Sequence, residues 1–191
     1  MNPDAQPKKE SFLKEIVKFA LIALVIIVPI RTYVAEPFIV SGLSMYPTFN
    51  NSQYLIVDQL TYHFENPRRG DVVIFKYPLD PSVYFIKRII GMPGETISIN
   101  DGVVTIINAA HPQGLTLSEP YIAQDHRSYD TFKKVLGSTE YFVMGDNRNQ
   151  SSDSRVWGPL DKKYLVGRPY IRLLPPSAIS ILPGRIDLGN N

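Results

Sequence analysis

A serine hydroxyl and a lysine amine can together break a peptide bond when the amine is kept neutral. Ser44 and Lys87 stand in segments suited to those two tasks. Ser44 lies in SGLSMYPTF, residues 41–49, where Gly42 lets the chain bend and Pro47 blocks a helix. Such a bend presents a hydroxyl and neighbouring backbone N–H groups to a substrate carbonyl. Lys87 lies in VYFIKRII, residues 83–90, an apolar run rich in strand formers. On a strand, alternate residues share a face, so Lys87 is expected to point with Phe85 and Ile89. An amine on an apolar face loses hydration, which lowers its pKa and frees it to accept a proton. Each residue by itself is ordinary. Serines are common in loops, and strand lysines mostly carry their amines out to water.

A third segment narrows the reading. GDNRNQSSDSR, residues 145–155, follows the apolar YFVM and holds two Asp, two Arg, two Asn and three Ser. Alone it reads as a polar surface turn. Together and in this order, SGLSMYPTF, FIKRIIGMPGE (residues 85–95) and GDNRNQSSDSR resemble the three signature segments of the bacterial type I signal peptidases. The resemblance runs from about Glu36 to Pro159; related serine–lysine peptidases share pieces such as SMYPT.

The resemblance implies a membrane-bound serine endopeptidase that removes N-terminal signal peptides from exported preproteins. It implies Ser44 as nucleophile, Lys87 as general base, and Ser151 as the hydroxyl that orients the amine. It makes Asp153 and Arg155 a structural ion pair, with Asp146, Asn147 and Arg148 shaping the same loop. Phe38, Val40, Met45 and Ile86 match the positions that line shallow substrate pockets. The Ser44 backbone N–H is the first oxyanion donor. Some members add a serine hydroxyl two residues before the nucleophile; here that residue is Gly42, so a second donor would be backbone, Gly42 itself included, or absent. A carboxylate against the amine would raise its pKa, so Asp153 is expected to be held by arginine and away from Lys87.

The elements that must position these groups are mostly strands. FIV (38–40), YLIVDQL (54–60), DVVIFKY (71–77), VYFIKRII, STEYFVMGD (138–146) and RPYIRLL (168–174) have strand character. NNSQ, ENPRRG and PLDPS between them are turn material. ETISIN and VVTIIN flank Asp101-Gly102, a strong two-residue hairpin signal. Residues 109–137 lack periodicity and are expected to be loop-rich, and the tail after Pro175 irregular. The expected fold is mainly β: a catalytic domain over residues 36–191, with an inserted hairpin and loop region at about 100–137.

Residues 16–34, IVKFALIALVIIVPIRTYV, are mostly apolar. At ~1.5 Å per residue they span roughly 28 Å, near the ~30 Å bilayer core. Phe19–Ile30 is the uninterrupted apolar stretch, short enough for a cleaved leader, but Tyr33 is too bulky for a good cleavage site before Glu36. The expectation is a retained transmembrane anchor after a short arm, residues 1–15. Lys8, Lys9, Lys14 and Lys18 lie at its start and Arg31 at its far end, so the arm is expected in the cytoplasm and the rest outside. Lipid and preprotein signal peptides are the expected partners.

The chain has 191 residues, a formal charge of +2 and no cysteine. Disulfides and thiol catalysis are excluded, and so small a charge without a basic stripe argues against nucleic acid. His63, His111 and His126 have no metal-ligand spacing, so no metal or other cofactor is expected. Two other readings remain open: a self-cleaving serine–lysine regulator, and a non-catalytic membrane-tethered β domain that binds extended peptides.

Overall fold

The computed structural model describes residues 12–29 and 35–188. The first element is α1, Phe12–Pro29, whose side chains from Phe12 to Val28 are all exposed. It begins and ends earlier than the expected anchor. Lys14, Glu15 and Lys18 fall inside it, and among the described residues no helix is long and apolar enough to cross a membrane. Most of the arm and residues 30–34 of the expected anchor lie outside the described residues.

The rest is mainly β, in two antiparallel sheets. The larger is built from β1 (Ala35–Ile39), β2 (Tyr54–Asp58), β3 (Val72–Tyr77), β4 (Asp80–Gly91), β9 (Glu140–Met144), β10 (Leu160–Asp161), β11 (Leu165–Leu174) and β12 (Ser180–Ile181). Its order is β1-β2-β11-β3-β4-β9-β10, with β12 on β11. The smaller contains β5 (Thr96–Asn100), β6 (Val103–Ile107), β7 (Leu115–Thr116) and β8 (Phe132–Val135), in the order β7-β6-β5-β8. Single helical turns, α2 (Thr61–Phe64) and α3 (Ser154–Trp157), complete it.

Three apolar clusters hold these elements. Val73, Phe75, Ile89, Tyr141 and Val143 form one, while Ile90, Phe142 and Met144 pack with Ile97, Ile99, Val104 and Ile106 of the smaller sheet in another. The end of β4 and all of β9 therefore lie between two cores. This is why IIG and YFVM read as unbroken apolar runs rather than alternating ones. The third cluster, Val40, Met45, Phe49, Leu55 and Val72, sits under the turn that carries Ser44.

The hairpin at Asp101-Gly102 forms as expected, with φ of 49° and 76°. Gly102 is fixed by contact as well: a Cβ there would lie 1.9 Å from the Ser128 carbonyl oxygen.

Several expected boundaries move. β2 stops at Asp58, because its carboxylate accepts the N–H groups of Leu60 and Thr61 and turns the chain. PLDPS is not a five-residue turn. Only Pro78-Leu79 turns, Tyr77 pairs with Asp80, and Lys76 pairs with Tyr84. Residues 81–83 bulge out of the ladder, which is where Pro81, lacking an N–H, is tolerated. The 109–137 region contributes β7 and β8 to the smaller sheet, and the tail contributes β12.

Candidate active site

β4 is a long strand with two different neighbours. β3 pairs along it, whereas β9 pairs only from Arg88 to Gly91. Lys87 sits one residue before the pairing with the second neighbour begins. It is 4% exposed. Its Nζ donates to Ser44 Oγ at 2.8 Å and to the Ile86 carbonyl at 3.0 Å, and lies 5.0 Å from the centre of the Phe85 ring. Burial is the dominant influence and lowers the amine pKa from 10.5 to about 8. The carboxylates of Asp153 and then Asp146 pull in the opposite direction.

Ser44 is held from beneath and from the side. Phe49 N–H donates to the Met45 carbonyl, Val40 bonds Gln53 and Ser52 through its backbone, and Phe49 is fully buried. Asn147 N–H donates to the Ser44 carbonyl at 3.0 Å. The 145–155 loop and the nucleophile turn touch so closely at Gly145 that a Cβ would lie 2.3 Å from Ser151 Oγ and 2.4 Å from the Ser44 carbonyl oxygen. Only glycine fits.

The charged residues of that loop are bound in pairs. Asp146 and Arg88 are both fully buried and make a two-pronged contact at 2.8 and 2.6 Å. Asp146 also accepts from Thr48 Oγ1 at 2.5 Å, and Arg88 donates to the carbonyls of Gly70 and Gly184. This pair thus ties the strand carrying Lys87 to the turn carrying Ser44. Asp153 receives Arg155 through Nε and Nη2, each at 2.8 Å, and the Gly145 N–H at 3.0 Å. Arg155 continues to Asp130, Ser128 and the Arg148 carbonyl. Arg148 is buried against Glu119 and donates to the Gly145 carbonyl.

Three expectations differ from what is found. Ser151 does not hold the lysine: its Oγ is buried without a hydrogen-bond partner, and the amine bonds Ser44 and the Ile86 carbonyl instead. Gly42 N–H is not free for an oxyanion, because it donates to Asn51 Oδ1 at 2.9 Å. Among the described residues, no acceptor engages the Ser44 N–H. Met45 is not part of the lining around Ser44 and Lys87; it is 1% exposed and packs in the core with Phe49 and Leu55.

Phe38, Val40 and Ile86 do line a groove of about 290 Å³ whose floor is Ser44 and Lys87. One wall is the outer edge of β1 and the residues that follow it. The other is the stretch of β4 before Arg88, which is paired on the β3 side alone. Two open strand edges thus face one groove. Tyr84, Gln150 and Ser152 also line it and were not singled out in the sequence. Arg88 and Glu119 were also missed. Arg88 had a signal, as a second charge in an apolar run and on the face opposite Lys87. No group of His, Cys, Asp or Glu among the described residues can hold a metal ion.

The family described as signal peptidase, peptidase S26, matches residues 13–174. The chain is 35% identical over 178 residues to a probable signal peptidase I-1 of Synechocystis, with 90% of this chain and 87% of that one covered. It is 37% identical over 186 residues to a signal peptidase I of Leptolyngbya laminosa, with 93% and 88% covered. A crystal structure of a signal peptidase I from Enterococcus faecalis aligns with 55% of this chain and 97% of its own, at 28% identity and a TM-score of 0.46. The match over most of the length, in a chain that brings its serine and lysine together at the floor of a groove, makes this protein a member of the signal peptidase family, peptidase S26.

Proposed function

We propose that this chain is a membrane-anchored serine endopeptidase that removes signal peptides from exported preproteins, with Ser44 and Lys87 as its catalytic dyad. The observation that carries this reading is the buried Lys87 amine, 2.8 Å from Ser44 Oγ at the floor of an open groove.

With Lys87 neutral, the hydrogen bond reverses and the Ser44 hydroxyl donates to Nζ. The oxygen attacks the substrate carbonyl carbon, its proton passes to Lys87, and the developing oxyanion meets the Ser44 N–H. The ammonium then gives that proton to the leaving amine as the C–N bond breaks. Water enters, loses a proton to Lys87 and attacks the acyl carbon. As the bond to Ser44 Oγ breaks, Lys87 returns that proton to the oxygen, which frees the acyl group as a carboxylic acid and restores the dyad. Phe38 and Val40 on one wall and Ile86 on the other favour an extended substrate with small side chains, hydrogen-bonded to the open edges. Arg155 and Asp153 hold the loop, and the Asp153 carboxylate also limits how far the Lys87 pKa falls.

α1 and the residues after it serve as the anchor, in keeping with its all-round exposed apolar side chains. The N-terminal arm is cytoplasmic and the β domain lies outside. The test is cleavage of a purified preprotein in detergent by the full chain and by Ser44→Ala. Removal of the signal peptide by the parent and its loss in the variant are expected. Equal cleavage by both sinks the dyad.

A further inference from the structure

The two walls of the groove are in step. On one, Phe38 and Val40 are two residues apart; on the other, Tyr84 and Ile86 are two apart. Alternate residues of an extended strand share a face, so each pair projects from one side of its strand. The pairs also meet across the gap. Ile86 packs against the cluster that contains Val40, and the Phe38 and Tyr84 rings lie edge to face with centroids 5.2 Å apart.

An extended substrate has the same repeat. Its first and third residues before the scissile bond point the same way, ~6.6 Å apart at ~3.3 Å per residue. Val40 and Ile86 flank the end nearest Ser44, so they bound the first residue. The third residue then meets Phe38 and Tyr84. Tyr84 is 43% exposed, so its ring forms part of the surface a substrate would touch. Its other side borders a separate polar depression lined by Glu36, Gln59, His63, Lys76 and Lys163. The ring is therefore a partition with open space on both sides.

We infer that Tyr84 is a specificity-determining residue, which closes the groove at the third residue before the scissile bond and sets the size accepted there. The inference rests on the peptidase reading above. Replacing the ring by a small side chain joins the groove to the polar depression and gives a larger third residue room. The first-position site, at Val40 and Ile86, is left as it was.

The experiment uses the full chain in detergent and two preprotein series: Ala, Leu or Phe at the third position with Ala at the first, and the reverse. The quantity read is the ratio of kcat/KM for Ala over Leu at each position, so a change in overall rate drops out. In Tyr84→Ala the third-position ratio is expected to fall about tenfold or more, with the first-position ratio kept. Tyr84→Phe should keep both. Tyr84→Leu, with a melting curve for each protein, covers poor folding of the alanine variant. An unchanged third-position ratio, or an equal fall at both positions, overturns the inference. Should the parent cleave no preprotein, the peptidase reading fails and the wall is read separately. Ser44→Ala and its Tyr84→Ala double variant are then titrated with the same uncleaved peptides. The Kd ratio at the third position must fall in the double variant, or the assignment is wrong.

Discussion

Lys87→Met should make this protein more stable at neutral pH while destroying its activity. In the folded chain the amine is 4% exposed and its pKa falls from 10.5 to about 8. That difference means the charged form is less favourable in the folded than in the unfolded chain by about 3 kcal/mol. Below pH 8 both states carry the proton and the full cost is present. Between 8 and 10.5 the unfolded chain binds more protons than the folded one, so stability rises with pH. Above 10.5 both are neutral and the cost is gone. Methionine has a similar length and fills the space without charge, but forfeits the bonds to Ser44 Oγ and the Ile86 carbonyl. A hydrogen bond is worth about 1 kcal/mol net, so the gain left at neutral pH is about 1–2 kcal/mol. For a domain of this size that raises Tm by roughly 2–8 °C. The assay is paired melts of the parent and the variant at pH 6.5 and at pH 10.5. The gap should be present at the lower pH and reverse at the higher, where the neutral lysine costs nothing and keeps its two hydrogen bonds. A variant less stable than the parent at pH 6.5, or a gap that ignores pH, would refute a buried, destabilising lysine.

The cleavage rate should climb as Lys87 loses its proton, with a midpoint near 8; a rate flat from pH 6 to 10, with binding constant, contradicts the base assignment. Asp153→Asn removes the leading charge that holds the Lys87 pKa up, so the climb should shift to lower pH; a shift upward in a pH–rate profile overturns that electrostatic account. The same substitution leaves Arg155 poorly paired and should lower stability in a denaturant titration. Arg88→Met strands a fully buried Asp146 carboxylate and should cost about 3–5 kcal/mol, whereas the double change with Asp146→Leu should recover much of it. Equal losses in the single and double variants would mean the pair is not acting as a unit.

Sequence reasoning reached what local chemistry controls. Lys87 was placed by strand alternation and the turn at Asp101-Gly102 by its demand for positive φ, whereas the Asp153–Arg155 pair came from the family resemblance. It failed where the decision is made by chain far away. Arg88 and Asp146 meet across 58 residues, and Arg148 and Glu119 across 29. No local pattern announces either. Met45 could not be assigned because it lies in an irregular turn, where side-chain direction has no period; packing with Phe49 put it inside. Ser151 was given a role by analogy, and a hydroxyl's role depends on ångström-scale placement that residue order does not encode. β7 and β8 are too short to signal themselves and exist because β6 and β5 offer them an edge.

The strip of chain shared by two cores makes the smaller sheet indispensable to the larger one. A deletion from Thr96 to Leu136 would not trim an appendage. It would bare Ile90, Phe142 and Met144 on the back of the strands that fix Arg88 and, one residue earlier, Lys87. It would also take away Glu119, the partner of Arg148, and Asp130, a partner of Arg155. The two sheets should therefore exchange their amide hydrogens as one cooperative unit. Shortening the chain is tolerable in the exposed turns that cut no shared core, and not at the hairpin tip, where Gly102 packs on Ser128 and its N–H donates to the Asp130 carbonyl.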